Sequence, residues 1–203
     1  MIKCIGLNIC AVITRSASVK QGKENQQFVS FGITYPVSGR NGETKNLDIS
    51  VSVDGGKDVA SVYTTGRRVK ITGTLSVVKR NGKIFFNLRA DSGIELVKST
   101  EADKLEGTLS FRGKIGKKGV EAKKDKKEET FKVFSAFSSD KDGDKHEFTW
   151  VRFLYFNPKD GEDFLQADTY IEASGDLQLE IFKDEIALAC RLSEVKPWVL
   201  NKN

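Results

Sequence analysis

One succession of secondary-structure patterns occurs twice along this chain of 203 residues. Its clearest member is segment 47–53, in which four aliphatic side chains alternate with polar ones. Strict alternation of this kind is typical of a β-strand with one buried face. A short helical pattern at 57–63 follows this strand. The remaining strands of the first half are predicted at 2–19, 28–35, 69–78 and 84–90.

The second half repeats the order strand, strand, strand, helix, strand, strand. Its helix is predicted at 161–168, between the third and fourth strands. The first strand is followed by a lysine-rich segment at 116–129, which we interpret as a solvated loop; the alternative is that it folds over a bound ligand. The strands of this half are predicted at 105–115, 130–137, 148–156, 170–182 and 185–195.

Five strands with a helix between the third and the fourth are typical of the OB-fold, a five-stranded Greek-key barrel. An SH3-like barrel or an irregular sandwich would also use five strands, but the position of the helix favours the OB-fold. We therefore predict an all-β protein made of two tandem OB-fold barrels. The domains are expected at 1–98 and 105–203, joined by a short polar linker.

The rarity of histidine and cysteine restricts the chemistry that is open to the chain. His146 is the only histidine, and the three cysteines (Cys4, Cys10 and Cys190) fit no zinc or redox spacing. The aspartates of segment 140–144 resemble a calcium loop only faintly, because the remaining ligand positions do not follow. We predict no enzymatic activity, no metal and no cofactor. Neither a membrane span nor a signal peptide is apparent, so a cytoplasmic protein is expected.

Positive charge is concentrated in the first half of the chain. The first 100 residues hold 15 Lys and Arg against 7 Asp and Glu, whereas the remaining 103 residues hold 18 against 21. A basic surface suggests a polyanionic partner such as nucleic acid. A solvated basic surface without a partner is the alternative.

Segment 149–156 is the best candidate for a surface that binds bases. On a strand, Trp150, Arg152 and Phe156 share one face with Leu154, and the residues between them face the core. Aromatic rings with a cation between them suit the stacking of single-stranded bases. The alternative is a strand buried on both faces, in which Trp150 fills the barrel. Arg152 argues against that alternative, because an unpaired buried charge is costly.

These residues resemble the bacterial single-stranded DNA-binding protein family. Trp150, Arg152 and Phe156 match a tryptophan, an arginine and a phenylalanine on that family's third strand. Segment 172–177 is similar to its Glu-Gly-x-Leu motif, either with Ala-Ser inserted between the acid and the glycine or with a shifted register, and Phe182 falls where the family often carries a stacking aromatic. The resemblance implies that the three aromatic residues stack on bases. The family's acidic C-terminal tail has no counterpart in segment 196–203, so we do not expect partner recruitment by that route.

The first half has the same predicted architecture but no aromatic residue on its third strand. In the hairpin position that corresponds to Phe182 it carries Arg80. We therefore expect this half to contact phosphates rather than to stack bases. The alternative is that these cations are solvated. The cations expected to contact phosphates are Arg67, Arg68, Lys79, Arg80 and Arg89.

The sequence thus predicts non-sequence-specific binding of single-stranded DNA, in replication, recombination or repair, with RNA as an alternative ligand. Two OB-folds per chain suggest a homodimer with four folds. A different class of function is also open, because OB-folds serve as protein-interaction modules and the first half lacks stacking aromatics.

Overall fold

The computed structural model describes residues 1–22, 25–91, 93–156, 158–159 and 161–199. Within these residues the chain is all-β apart from one short helix. The elements are β1 (Ile2–Gln21), β2 (Gln27–Ser38), β3 (Thr44–Asp54), α1 (Lys57–Val62), β4 (Arg68–Arg80), β5 (Lys83–Ala90), β6 (Glu95–Val97), β7 (Lys104–Lys124), β8 (Thr130–Asp142), β9 (Lys145–Tyr155), β10 (Tyr170–Phe182) and β11 (Glu185–Pro197).

The residues group into two compact units. One unit, here called the N-terminal unit, contains Cys4–Val77 and Phe85–Gly107. The other, the C-terminal unit, contains Met1–Lys3, Val78–Ile84 and Thr108–Asn203. The hairpin at 78–84 therefore belongs with the second half of the sequence.

In the N-terminal unit the strand order is β1-β2-β3-β5-β4, and an additional pairing of β1 with β4 joins the two ends. β2 and β3 are antiparallel, whereas β3 and β5 run parallel, with Ile49 opposite Phe86. Alternation buries Phe31, Ile33 and Ile49. Tyr63, the residue after α1, stacks on Phe31 with the ring centroids 5.0 Å apart. Tyr63 thereby attaches the end of α1 to this core, while α1 itself has no buried residue.

The C-terminal unit has the corresponding order. Its strands follow one another as β7-β8-β9-β11-β10, and β10 pairs with β7. β9 and β11 are parallel, with Val151 opposite Leu188. The core is built on Phe153, which contacts Phe111 at 5.1 Å and Phe134 at 5.0 Å between ring centroids. An all-β chain with this strand order is consistent with OB-folds.

A glycine occupies the same place in both units. A β-carbon at Gly73 on β4 would overlap the carbonyl oxygen of Arg89 on β5. A β-carbon at Gly175 on β10 would overlap the carbonyl oxygen of Arg191 on β11 in the same way. Only glycine permits the two backbones to approach so closely.

The helix predicted at 161–168 is wrong. Between β9 and β10 the described residues form turns, in which the Leu165 N–H donates to the Glu162 carbonyl over 3.0 Å. Gly161 and Asp168 have φ of 79° and 64°, outside the range of a right-handed helix. Positive φ at both ends of the segment interrupts the right-handed backbone that a helix needs.

The loop predicted at 116–129 is also wrong, because most of it is a β-ribbon. β7 continues to Lys124 and pairs with β8, with Lys123 opposite Phe131. A short turn remains, in which the Asp125 carboxylate accepts the backbone N–H of Lys127 at 2.8 Å and that of Glu129 at 3.0 Å. A side chain that caps the turn in this way stabilises the hairpin. We call 117–129 the lysine ribbon.

Candidate nucleic-acid interface

The two faces of β9 are those that the sequence predicts. Trp150 is 51% exposed, and Phe148 on the same face is also exposed. Val151, Phe153 and Tyr155 are buried. The alternative in which Trp150 fills the barrel is therefore wrong.

Trp150 belongs to a cluster of three rings. Phe137 lies directly opposite it on β8, with ring centroids 5.0 Å apart and an angle of 56° between the planes. Phe137 also contacts Phe148 edge to face at 5.2 Å. On β7, Gly116 leaves room for the indole, since a β-carbon there would lie 2.9 Å from the Trp150 Cζ3 atom. The indole is thus supported from β7 and β8 while half of its surface stays accessible.

A second aromatic group lies at the end of β9. Phe156 stacks on Phe131, with the ring centroids 5.0 Å apart and the planes within 20°. The guanidinium carbon of Arg191 lies 5.2 Å from the Phe156 ring centroid, which is the geometry of a cation–π contact. Phe156 itself remains partly exposed.

A hydrogen-bonded cluster holds the chain just beyond β9. The Tyr155 hydroxyl donates to Glu162 Oε1 over 2.8 Å, and the Lys159 backbone N–H donates to Glu162 Oε2 over 3.2 Å. Burial raises the pKa of Tyr155, and the hydrogen bond to Glu162 raises it further. The hydroxyl therefore stays protonated as a donor, and its bond to Glu162 ties the end of β9 to the segment that follows.

Arg152 lies between the two aromatic groups and is paired with a carboxylate. Its Nη1 lies 3.1 Å from Glu180 Oε2 and 3.4 Å from Glu180 Oε1. The arginine side chain is 37% exposed and that of the glutamate 25%. Ala189 lies opposite Arg152 on β11, and Ala187 lies opposite Glu180. These two small side chains leave the path across β11 open.

Phe182 is the most exposed ring of the C-terminal unit among the residues that the structure describes, at 62%. It ends β10, and the turn residues Lys183 and Asp184 both have positive φ, as in a tight two-residue hairpin turn. The Lys183 ammonium lies 5.5 Å from the Phe182 ring centroid. The ring is therefore presented at the hairpin tip beside a cation.

Two of the cations predicted to contact phosphates, Lys79 and Arg80, belong to the same unit as Trp150. The Lys79 ammonium lies 3.5 Å from the Phe148 carbonyl oxygen and 3.8 Å from a Glu147 carboxylate oxygen. The hairpin that carries it is held at Gly82, whose N–H donates to Glu147 over 3.0 Å. Arg80 is exposed on this hairpin. Lys79 is thus placed beside the aromatic face of β9.

The other three predicted cations lie in the N-terminal unit. Arg67 donates to the Val62 carbonyl over 3.0 Å, and Arg89 pairs with Asp54 at 2.6 Å. Arg68 is ion-paired with Asp103, and only 10% of its side chain is exposed. Such burial does not suit Arg68 for a phosphate contact.

Sequence reasoning missed several rings and one cation. Phe131 and Phe137 lie an even number of residues apart on β8, a spacing that indicates one shared face of the strand. Nothing in the sequence indicates that these rings contact Phe156 and Trp150. No sequence pattern indicates that Arg191 belongs to the site. In the N-terminal unit, Phe85 is an exposed ring on β5 that no sequence motif indicates.

Two further properties of the described part of the chain bear on its chemistry. No group of three or more His, Cys, Asp or Glu side chains in it is arranged to hold a metal ion. Across the same residues, no helix is long and apolar enough to span a membrane.

Comparison with known proteins identifies a similar fold but no family. No protein-family model and no curated protein matches the sequence. The wild-type single-stranded DNA binding protein from Thermus aquaticus has a TM-score of 0.52 and 9% identity, covering 100% of this chain and 95% of that chain. A deletion mutant of the same protein gives 0.51 and 10%, covering 100% and 97%. Similarity at this identity shows a shared fold.

A third solved structure covers only part of the chain. The N-terminal domain of the PriB protein from Thermoanaerobacter tencongensis has 18% identity over 46% of this chain and 98% of that one. Its TM-score is 0.31, too low to support an inference.

Proposed function

We propose that this chain binds single-stranded DNA without sequence specificity, through two tandem OB-fold barrels, in replication, recombination or repair. The observation that carries the proposal is the row of accessible rings on one face of β9 and just beyond it, formed by Phe148, Trp150 and Phe156. Exposed aromatic side chains are costly to keep in water, and bases that stack on them would cover them. The shared fold with a single-stranded DNA binding protein supports the proposal.

Phosphate contacts would accompany the stacking. Lys79 lies beside Phe148, and the turn of the lysine ribbon carries the exposed residues Lys126 and Lys127. Each phosphate that such a cation neutralises releases counterions, so that affinity falls as salt rises. Stacking tolerates every base, because every base has a π face. No reaction step is needed in this function.

A titration with fluorescently labelled poly(dT) tests the proposal. At about 50 mM salt, where counterion release favours complex formation, fluorescence anisotropy should report tight binding that weakens steeply as salt is added. Poly(U) of equal length measures the preference between DNA and RNA. Absence of binding to both polymers at that salt concentration would overturn the proposal.

The N-terminal unit favours a second role, protein–protein contact. Ile5 and Phe85 in this unit are large apolar residues that lie exposed to solvent. A protein partner would cover these side chains. We propose a homodimer of four OB-folds. Sedimentation equilibrium should give twice the mass of the chain at micromolar concentration, and a stable monomer would exclude the dimer.

A further inference from the structure

Arg152 is the cation that lies within the aromatic face, and its charge is already compensated. Its guanidinium contacts both carboxylate oxygens of Glu180 through one nitrogen, at 3.1 and 3.4 Å. It is two residues from Trp150, on the same side of β9, and four residues before Phe156, which follows the end of that strand. Two residues of strand correspond to about 7 Å. A single strand that crosses these rings therefore passes over Arg152.

We propose that Glu180 is a positioning residue that keeps Arg152 bound during complex formation, so that the guanidinium contacts bases and leaves phosphates to other cations. This inference rests on the proposed function and names the chemistry that Arg152 recognises. A guanidinium is planar and stacks on aromatic faces and on bases. Held by one nitrogen, it presents the rest of its plane to the ligand.

The surroundings favour retention of the ion pair over exchange for a phosphate. Carboxylate and phosphate are both good partners for arginine, so that exchanging one for the other gains little. A phosphate that displaced Glu180 would leave that carboxylate beside the polyanion, with like-charge repulsion.

Ala187 and Ala189 leave room for Arg152 to reach Glu180 across β11. They lie opposite Glu180 and Arg152 on β11, between the strands that carry the pair. Because an alanine projects only one carbon from the sheet, the arginine can extend across β11 to the carboxylate. A larger residue at either position would block that path.

The salt dependence of oligo(dT) binding separates the two roles of Arg152. A phosphate contact on a single strand contributes about 0.7 to the slope of log affinity against log salt concentration, and a base contact contributes nothing. We expect Arg152→Gln to weaken binding about tenfold at every salt concentration with the slope unchanged. We expect Glu180→Gln to make the slope steeper by about 0.7, because it releases Arg152 to bind a phosphate.

Glu106→Gln is the matched control, since it removes the same charge from an exposed pair with Lys104 at 2.9 Å. We expect it to leave the slope unchanged. Arg152→Lys should behave as Arg152→Gln, because an ammonium cannot stack as a plane. Thermal denaturation of each variant confirms that it is folded.

The inference fails if Arg152→Gln makes the slope shallower by about 0.7, because Arg152 would then contact a phosphate in the wild-type complex. It also fails if Glu180→Gln and Glu106→Gln give the same slope. Both outcomes require that the wild-type chain binds oligo(dT). Absence of wild-type binding is instead the failure of the proposed function, so that the two failures are distinguishable.

Discussion

Phe137 and Trp150 face each other directly across β8 and β9, and their ring centroids lie 5.0 Å apart. The tilt of 56° between the two planes does not close the indole off, and half of its surface stays exposed. The pair is therefore a supported platform, in which one ring is anchored so that the other can accept a base.

Loss of the exposed rings should weaken binding without unfolding the chain. Trp150→Ala and Phe182→Ala should each cost about 1–3 kcal/mol of oligo(dT) binding free energy, because each removes one stacking surface. Fluorescence anisotropy at fixed salt measures the loss. Trp198→Ala is the comparison, since Trp198 contacts the ring of Tyr170 on β10 and none of the rings of β9 that carry the proposal. Wild-type affinity in both Trp150→Ala and Phe182→Ala would contradict the stacking role.

Arg68 should matter for stability rather than for binding. Arg68→Gln removes the ion pair with Asp103 from a largely buried position, and should lower the free energy of unfolding by about 1–3 kcal/mol. Urea denaturation measures that change. Arg80→Gln is the comparison, since Arg80 is exposed and its replacement should alter stability by less than about 0.5 kcal/mol. Unchanged stability together with a shallower slope of log oligo(dT) affinity against log salt concentration would show instead that Arg68 contacts a phosphate.

Replacement of Thr149 should increase the stability of the fold. Its hydroxyl is buried on the inner face of β9 and has no hydrogen-bond partner among the described residues. Thr149→Val removes this unsatisfied group and nearly keeps the shape of the side chain, so we expect a gain of about 1 kcal/mol in the free energy of unfolding. Oligo(dT) affinity should not change. A loss of stability would show that the hydroxyl is satisfied in solution.

Cys4 should make stability depend on pH in the alkaline range. Burial raises the pKa of its thiol from 9.0 to about 11. The unfolded chain releases this proton at lower pH than the folded chain does, so the contribution to stability is complete below pH 9 and is lost as pH rises through about 11. Urea denaturation should show a smaller fall over this interval for Cys4→Ala than for the wild type. Equal falls in both proteins would exclude the effect.

Patterns that are local in sequence predicted the structure well. The alternation along β9 placed Trp150 outside and Val151 inside, because side chains of a strand alternate whatever its partners are. The helical pattern after β3 corresponds to α1. The pattern at 161–168 failed, because Gly161 and Asp168 take positive φ, which the pattern does not indicate.

Contacts between distant residues could not be predicted. The pairing of Trp150 with Phe137 depends on the register of β8 and β9, which the sequence does not state. Arg68 was predicted to be an accessible cation. Its partner Asp103 is 35 residues away along the chain, beyond β5 and β6, so no local pattern indicates their ion pair. Lys79 likewise joined the C-terminal unit through Glu147, which no local pattern indicates.

The emission of Trp150 tests the central claim most directly. In the Trp198→Phe variant Trp150 is the one remaining tryptophan of the sequence, so its fluorescence reports on this site alone. Stacking of a base on the indole should quench the emission, and the quenching should saturate at the same oligo(dT) concentration as the anisotropy of a labelled strand. Binding seen by anisotropy without any change in Trp150 emission would contradict the account, since the strand would then lie elsewhere on the protein.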